Sequence, residues 1–80
     1  MDDAEIVQRI RQLADDEHAL EQAHAGKGLS RDELDRLRAT EVALDQCWDL
    51  LRQRRARRNA GQDPDDAHVR PEDVVERYQQ

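Results

Sequence analysis

One short spacing in the chain could bind a metal ion. Glu21 and His24 form a Glu-x-x-His pair, which di-metal four-helix carboxylate proteins carry on two of their helices beside two further glutamates. Glu17, one turn earlier, would add a carboxylate or act as a general acid, and a dimer would supply a second copy of the set. The other carboxylates fit poorly, because the hairpin inferred below puts Leu34 opposite Glu21. A metal-dependent enzyme is the least favoured hypothesis, and no catalytic residue, metal ligand or cofactor is predicted.

An arginine run forms the densest group of like charges. It could bind the phosphates of nucleic acid, which would make the protein a regulator acting on nucleic acid or the transcription machinery. Alternatively, it complements a helix dipole and pairs with acids near the N-terminus or in the C-terminal tail. The second interpretation is favoured and nucleic acid is an unfavoured partner, because no aromatic platform accompanies the run and the net charge is −6. The run consists of Arg52, Arg54, Arg55, Arg57 and Arg58.

Two further polar side chains lie on predicted apolar faces. A carboxylate at Glu17 is costly there unless it is paired, and the hairpin register places Arg38 close by. An ion pair between Glu17 and Arg38 that fixes helix register is therefore favoured over a catalytic or metal-binding role. Cys47 has no histidine beside it in sequence and is predicted to be a small buried hydrophobe, although a two-fold interface could bring two copies together.

The element that positions most of these residues is a helix from Ser30 to Ala60. Ser30 and Glu33 form the spacing of a capping box, which satisfies two backbone N–H groups at a helix start. The first turn is acidic and the last turns are basic, as the helix dipole favours. Gly61 is a plausible left-handed stop, and Pro64 follows it.

This helix carries two apolar ridges. A rotation of about 100° per residue puts a row of large side chains on one stripe and smaller ones roughly opposite. Because each ridge calls for a partner, the pattern predicts self-association in addition to intramolecular packing. The large ridge, on which Trp48 is predicted to be a core anchor, comprises Leu34, Leu37, Leu44, Trp48 and Leu51, and the small ridge comprises Ala39, Ala43, Cys47 and Leu50.

The remaining segments complete an antiparallel hairpin and a tail. Met1–Ala25 reads as an amphipathic helix capped by Asp2 or Asp3, and Gly26-Lys27-Gly28 forces the next helix to run back along it. Paired residue numbers then sum to about 55. Residues 1–61 are predicted to form the hairpin. Residues 62–80 are predicted to form a linker and a short helix after Pro71, with an apolar face of Val74, Val75 and Tyr78 onto which Val69 could staple. Because eight residues cannot hold a helix alone, this tail docks on the hairpin, on a symmetry mate or on another protein, or it is disordered; docking is favoured.

Size and composition set the limits on architecture. At 80 residues, with 36% hydrophobic and 40% charged side chains, one core is marginal, and one cysteine rules out an internal disulfide. Oligomerisation is the remaining means of stabilisation. The sequence thus predicts an all-α, coiled-coil-like hairpin with a short C-terminal helix, dimerising into a four-helix arrangement. Because no apolar run is long enough to span a bilayer, no membrane association is expected, and the cytoplasm is the expected location.

One stretch resembles a known family. Leu44–Arg55 (LDQCWDLLRQRR), with Glu17–Leu20 before it and Val69–Pro71 after it, is similar to a small actinobacterial family known as domain of unknown function 2630. The resemblance covers nearly the whole chain and implies an actinobacterial, non-secreted helical protein, but no activity or cofactor. The favoured function is a non-enzymatic interaction or scaffolding module that acts as a homodimer, with a further protein partner left unidentified.

Overall fold

Helices are the regular secondary structure of the described part of the chain, which contains no strand. A computed structural model describes the backbone of residues 1–23 and 28–79, and the side chains of residues 1–22 and 28–76. Helix α1 spans Asp3–Ala23 and helix α2 spans Arg31–Asn59; a 3₁₀ turn at Pro64–Asp66 and helix α3 at Glu72–Gln79 follow. The prediction of an all-α chain with two long helices and one short helix is confirmed.

Both long helices begin with capping boxes. At α1, Glu5 N donates to Asp2 Oδ1 at 2.8 Å, and Asp2 N donates to Glu5 Oε1 at 3.1 Å. At α2, Glu33 N donates to Ser30 Oγ at 3.2 Å, and Ser30 N donates to Glu33 Oε1 at 3.0 Å. Each pair satisfies two backbone donors that the helix itself leaves unbonded. These local sequence signals therefore fix both helix starts.

Helix α2 ends in a Schellman motif. Gly61 has a φ of 73°, a left-handed conformation that costs glycine little. Its N–H donates to Arg58 O at 3.2 Å, and Gln62 N donates to Arg57 O at 2.7 Å. The predicted stop at Gly61 is confirmed, and it turns the chain back so that the residues beyond it run along α2.

The core of the hairpin lies toward the C-terminal half of α2. One buried cluster contains Ile6 and Ile10 from α1 with Leu50 and Leu51 from α2. Because Ile6 meets Leu50 and Leu51, the antiparallel register lies within about two residues of the predicted one. The cluster is extended by partly buried neighbours, namely Val7, Leu44, Cys47 and Ala67.

The two predicted ridges of α2 prove to be the two flanks of one face. Leu51 from the large ridge and Leu50 from the small ridge are both buried against α1, and Cys47 packs beside them. Helix α1 therefore packs against α2 between the two ridges. Leu50 and Cys47 face α1 and are not available to contact a second chain. This corrects the prediction that the small ridge is the dimer face. Of its other members, Ala39 is exposed and Ala43 is partly buried.

Trp48 lies outside the core, contrary to its predicted role as a core anchor. Its side chain is 50% exposed, whereas Leu50 and Leu51 close by are 6% and 7% exposed. Helix α1 packs over Leu50 and Leu51, and Trp48 lies at the outer edge of this contact face. Large side chains on one stripe can therefore differ in burial when the partner helix is centred to one side of that stripe.

The second neighbour of α2 is the chain's own C-terminal segment, residues 62–79. Both the 3₁₀ turn and α3 pack on α2, and Val75 of α3 is 1% exposed. The prediction that the tail docks is confirmed for Val75, whereas the side chain of Tyr78 lies outside the described residues. Val69, which was predicted to staple onto Val74, is 57% exposed. The molecule measures 50 × 25 × 16 Å, and none of its helices in the described ranges combines the length and apolar character needed to span a bilayer.

Candidate interaction surface

The arginine run is divided between structural and exposed side chains. Arg54 is buried, and its Nε lies 2.6 Å from Asp3 Oδ1 while its Nη1 lies 2.9 Å from Asp65 Oδ1. Arg58 Nη2 also pairs with Asp3, at 2.7 Å from Oδ2. These bonds tie the start of α1, the end of α2 and the 3₁₀ turn together. Pairing with an N-terminal acid and with a tail acid, as predicted, is shown for these two arginines.

The ion pairs also change the acidity of the groups that form them. Hydrogen bonds from Arg54 and Arg58 lower the pKa of Asp3, and the hydrogen bond to Asp3 raises the pKa of Arg54. Both shifts favour the charged forms in the folded state. Through Asp3, the start of α1 lies against Arg54 and Arg58. Arg54 is therefore unavailable for binding phosphate.

Replacing Arg54 by glutamine should separate the structural arginine from the exposed ones. Arg54→Gln removes the cation that joins Asp3 to Asp65 and leaves Asp3 with Arg58 alone, so we expect a lower midpoint of urea unfolding. Arg36→Gln changes an exposed arginine on the same helix that is far from this network, and it should leave the midpoint unchanged. Circular dichroism across a urea series measures both. Equal midpoints for the two variants would show that the Arg54 network adds nothing to stability.

A second polar network holds the C-terminal segment on α2. Asp49 is 1% exposed, and Arg70 binds it with both Nη2 to Oδ1 at 2.5 Å and Nε to Oδ2 at 2.9 Å. Gln53 Nε2 donates to Asp49 Oδ2 at 3.0 Å and to His68 O at 2.9 Å, and Gln46 Nε2 donates to Arg70 O at 3.2 Å. The pKa of Asp49 is lowered, chiefly by the bond from Arg70. The segment is therefore fixed by directional bonds as well as by Val75.

Sequence reasoning missed this network. Its one signal is an acidic residue, Asp49, placed between Trp48 and Leu50 in the most apolar stretch of α2. A carboxylate there needs a cation, and Arg70 supplies it from a distant part of the chain. The two residues also line a surface depression of about 400 Å³ together with Arg52, Gln53 and Ala56. In this depression the Arg70 guanidinium is already bound to Asp49 at two atoms.

Glu17 has different neighbours from those predicted. Burial raises its pKa, and the carboxylates of Glu21, Glu41 and Asp45 raise it further. Within the described ranges no ion pair joins Glu17 to Arg38, which is exposed. Arg38 lies on the far side of α2 from the contact with α1, so the register that brings the two residues level does not bring their side chains together. The predicted Glu17–Arg38 pair is therefore wrong, and Glu17 lies beside other carboxylates instead.

Glu17→Gln should stabilise the protein near neutral pH. The folded state raises the pKa of Glu17, so its ionised form costs stability above that pKa, and the cost vanishes as pH falls through it. We expect a gain of about 0.5 kcal/mol at neutral pH, the scale of exposed charge interactions, and none at low pH, where both side chains are neutral. Urea unfolding at the two pH values measures the difference. Asp15→Gln is the control, because Asp15 is an exposed acid on the same helix. Glu5 is not used, because its side chain caps α1.

The remaining candidates are the predicted Glu21–His24 metal pair and the Cys47 thiol. Among the described side chains, no group of three or more His, Cys, Asp or Glu residues is placed to hold a metal ion. His24, the predicted partner of Glu21, lies outside the described residues. Cys47 is a free thiol, partly buried, and burial raises its pKa although Arg9 opposes this. A raised pKa makes the thiolate scarce at neutral pH, so Cys47 has the properties of a packing residue.

One face of α2 carries a surface that we name the Trp48 strip. Its members lie within about one third of the helix circumference, and Leu44 marks the edge that packs against the buried cluster. They combine a half-exposed indole, partly buried leucines and charged side chains on each side of the indole. For the described residues, the four charged members make no hydrogen bond or ion pair with another part of the chain. The strip consists of Leu37, Glu41, Leu44, Asp45, Trp48, Arg52 and Arg55.

Comparison with known proteins places the chain in a family. The family model described as "Protein of unknown function (DUF2630)" matches residues 2–80. The chain belongs to the DUF2630 family. An uncharacterized protein of Mycobacterium bovis and two of Mycobacterium tuberculosis are each 51% identical over 77 residues, covering 95% of this chain and 88% of theirs. No solved structure matches.

The DUF2630 assignment confirms the resemblance seen in Leu44–Arg55, and the structure shows what that stretch does. In this DUF2630 chain it contains the buried Leu50 and Leu51, the anchor of the tail at Asp49, and Arg54 of the N-terminal network. The same stretch exposes Trp48 on the opposite edge. The family therefore supplies no activity, but its most distinctive segment here both holds the monomer together and presents the Trp48 strip.

Proposed function

We propose that this protein is a small non-enzymatic protein–protein interaction module that works as a homo-oligomer, in its simplest form a dimer. The exposure of Trp48 carries the proposal. The chain contains one Trp, and it stands 50% exposed at the middle of the longest helix instead of entering a small core. Tryptophan is enriched at protein interfaces, where it often contributes most of the binding free energy.

The size of the core supports a need for association. The fully buried apolar side chains in the described ranges are few for a chain of 80 residues: Ile6, Ile10, Leu13, Leu50, Leu51 and Val75. Chains of this size often gain stability by oligomerisation. With α1 on one side of α2 and the C-terminal segment on another, the Trp48 strip is the face of α2 that remains for a partner.

A role in binding, not catalysis, is supported by how the reactive groups are used. The most buried carboxylate, Asp49, accepts bonds from Arg70 and Gln53, and the most buried arginine, Arg54, donates to two aspartates. Both groups are held in their charged forms by fold-stabilising contacts. The free thiol of Cys47 agrees with the cytoplasm as the proposed location, since reduced cysteines are usual there.

Light scattering coupled to size-exclusion chromatography, over a series of protein concentrations, tests the proposal. We expect a mass rising toward twice 9.3 kDa, and a blue shift of Trp48 fluorescence emission as its indole leaves water. Trp48→Ala should shift the series toward monomer. Val69→Ala removes an equally exposed apolar side chain from outside the strip and should behave as wild type. A mass of 9.3 kDa at every concentration would contradict the proposal.

A further inference from the structure

The charges of the Trp48 strip are segregated by sign. Glu41 and Asp45 precede Trp48, and Arg52 and Arg55 follow it. Glu41 lies seven residues before Trp48 and Arg55 lies seven residues after it. On a helix this spacing is two turns in either direction, on the same face as the indole. The strip therefore has an acidic half and a basic half arranged symmetrically about one aromatic side chain.

Such a strip is complementary to itself when it is reversed. A two-fold axis at Trp48 would run a second α2 antiparallel to the first and place each acidic half against a basic half. A parallel pairing would instead put like charges face to face, which is unfavourable. A closed two-fold interface uses the same patch on both copies, and this patch satisfies that condition.

The charges have little compensation within the chain. Across the described ranges, the side chains of the four charged members make no hydrogen bond or ion pair. Arg52 alone lies close enough to an opposite charge, Asp49, to help lower the pKa of that carboxyl. The acidic half lies beside Glu17, whose carboxylate is disfavoured by burial and by its acidic neighbours. Cations arriving from a second copy would relieve that repulsion. A nucleic acid would not, because the acidic half of the strip repels phosphate.

We propose that the occupant of the Trp48 strip is a second copy of this chain, with the two α2 helices antiparallel and crossing at Trp48. Glu41 of each copy then faces Arg55 of the other, and Asp45 faces Arg52. The two indoles meet at the axis, with Leu44 beside them. This inference rests on the proposed function and adds the geometry and the partner: an antiparallel helix pair with two sets of ion pairs related by symmetry.

Charge reversal tests the geometry with four proteins. Glu41→Arg alone and Arg55→Glu alone each replace both symmetric ion pairs by like-charge contacts, so we expect each to weaken self-association roughly tenfold or more. The double variant Glu41→Arg/Arg55→Glu restores opposite charges and should associate nearly as wild type. An equimolar mixture of the two single variants should form the heterodimer, because one chain is then basic at both positions and the other acidic.

Sedimentation velocity measures each self-association constant, and native mass spectrometry identifies the heterodimer in the mixture. Arg36→Glu reverses an exposed charge on a different face of α2 and should leave association unchanged. Circular dichroism verifies that every variant keeps the helix content of wild type. Because Trp48 is the one tryptophan, the position of its emission maximum reports independently on whether the strip is covered.

The outcomes distinguish the geometry from the proposed function. If wild type stays monomeric at all concentrations, the proposed function and the geometry both fail. If wild type dimerises but the single variants dimerise equally well, the antiparallel pairing is overturned while self-association stands. If the single variants weaken and neither the double variant nor the mixture recovers, Glu41 and Arg55 are not partners, and the proposed geometry is again overturned.

Discussion

Arg70→Ala is expected to release the C-terminal segment from α2. The substitution leaves the carboxylate of Asp49 buried, with Gln53 as its one remaining side-chain donor among the bonds described. Leaving one partner of a buried ion pair unpaired costs about 3–5 kcal/mol. An eight-residue helix has little stability of its own, so the segment should leave and let water reach Asp49 instead of the whole chain unfolding. The docking equilibrium should fall by roughly a hundredfold or more.

Amide hydrogen exchange resolves this prediction residue by residue. Amides of α3, such as Val75, should exchange much faster in Arg70→Ala, whereas those of Ile10 and Leu50 in the hairpin should keep most of their protection. Arg36→Ala is the matched control because it removes an exposed arginine from the same helix as Asp49, outside the Trp48 strip. Unchanged exchange at Val75 would show that hydrophobic contact alone holds the tail.

A double variant separates the loss of a bond from the cost of an orphaned charge. Asp49→Leu/Arg70→Met replaces both charged groups by apolar side chains of similar length. Such replacements of buried pairs are often neutral or stabilising. We therefore expect protection in α3 to recover, although the single Arg70→Ala variant loses it. Failure to recover would mean that the geometry of the bidentate bond, and not the removal of charge imbalance, positions the segment.

Lowering the pH should weaken two ion pairs of the wild-type protein, Asp49–Arg70 and Asp3–Arg54. The folded state lowers the pKa of Asp49 through Arg70 and the pKa of Asp3 through Arg54. A lowered carboxyl pKa contributes stability that is present above the ordinary aspartate pKa and is lost as pH falls through the folded pKa. Wild type should therefore lose stability in that acidic window, and Arg70→Ala should lose less of it.

The fold was predictable where it depends on local rules. The capping boxes at Asp2 and Ser30, the left-handed Gly61 and the short Gly-containing connection each act over a few residues, and they determine the helix ends and the antiparallel direction. The register followed from the direction and the length of the turn. These features do not require knowledge of how the helices are rotated about their axes.

The rotation of α2 was not predictable from its own pattern. Two apolar ridges identify which side chains share a stripe, but they do not say whether a partner lies over one ridge or between the two. In the structure α1 lies over Leu50 and Leu51 together, and the C-terminal segment lies over Asp49, which Arg70 binds. Trp48 is left half exposed at the edge. Both contacts join distant parts of the chain, so the pattern of α2 alone does not contain them.

Ile6→Ala is expected to lower the free energy of unfolding by about 2–5 kcal/mol, the usual cost of truncating a buried isoleucine. Ile6 is 0% exposed and belongs to the cluster with Ile10, Leu50 and Leu51, where α1 can shift little because the Arg54 network fixes its start at Asp3. Ile6→Val should lower the free energy of unfolding by only about 0.5–1.5 kcal/mol. Val69→Ala changes a side chain that is 57% exposed, so it should change the free energy of unfolding by less than about 0.5 kcal/mol. Urea unfolding at one low protein concentration, where association contributes little, gives all three values. The order Ile6→Ala, Ile6→Val, Val69→Ala follows from burial alone, and equal losses at Ile6 and Val69 would mean that α1 does not pack on α2 through this cluster.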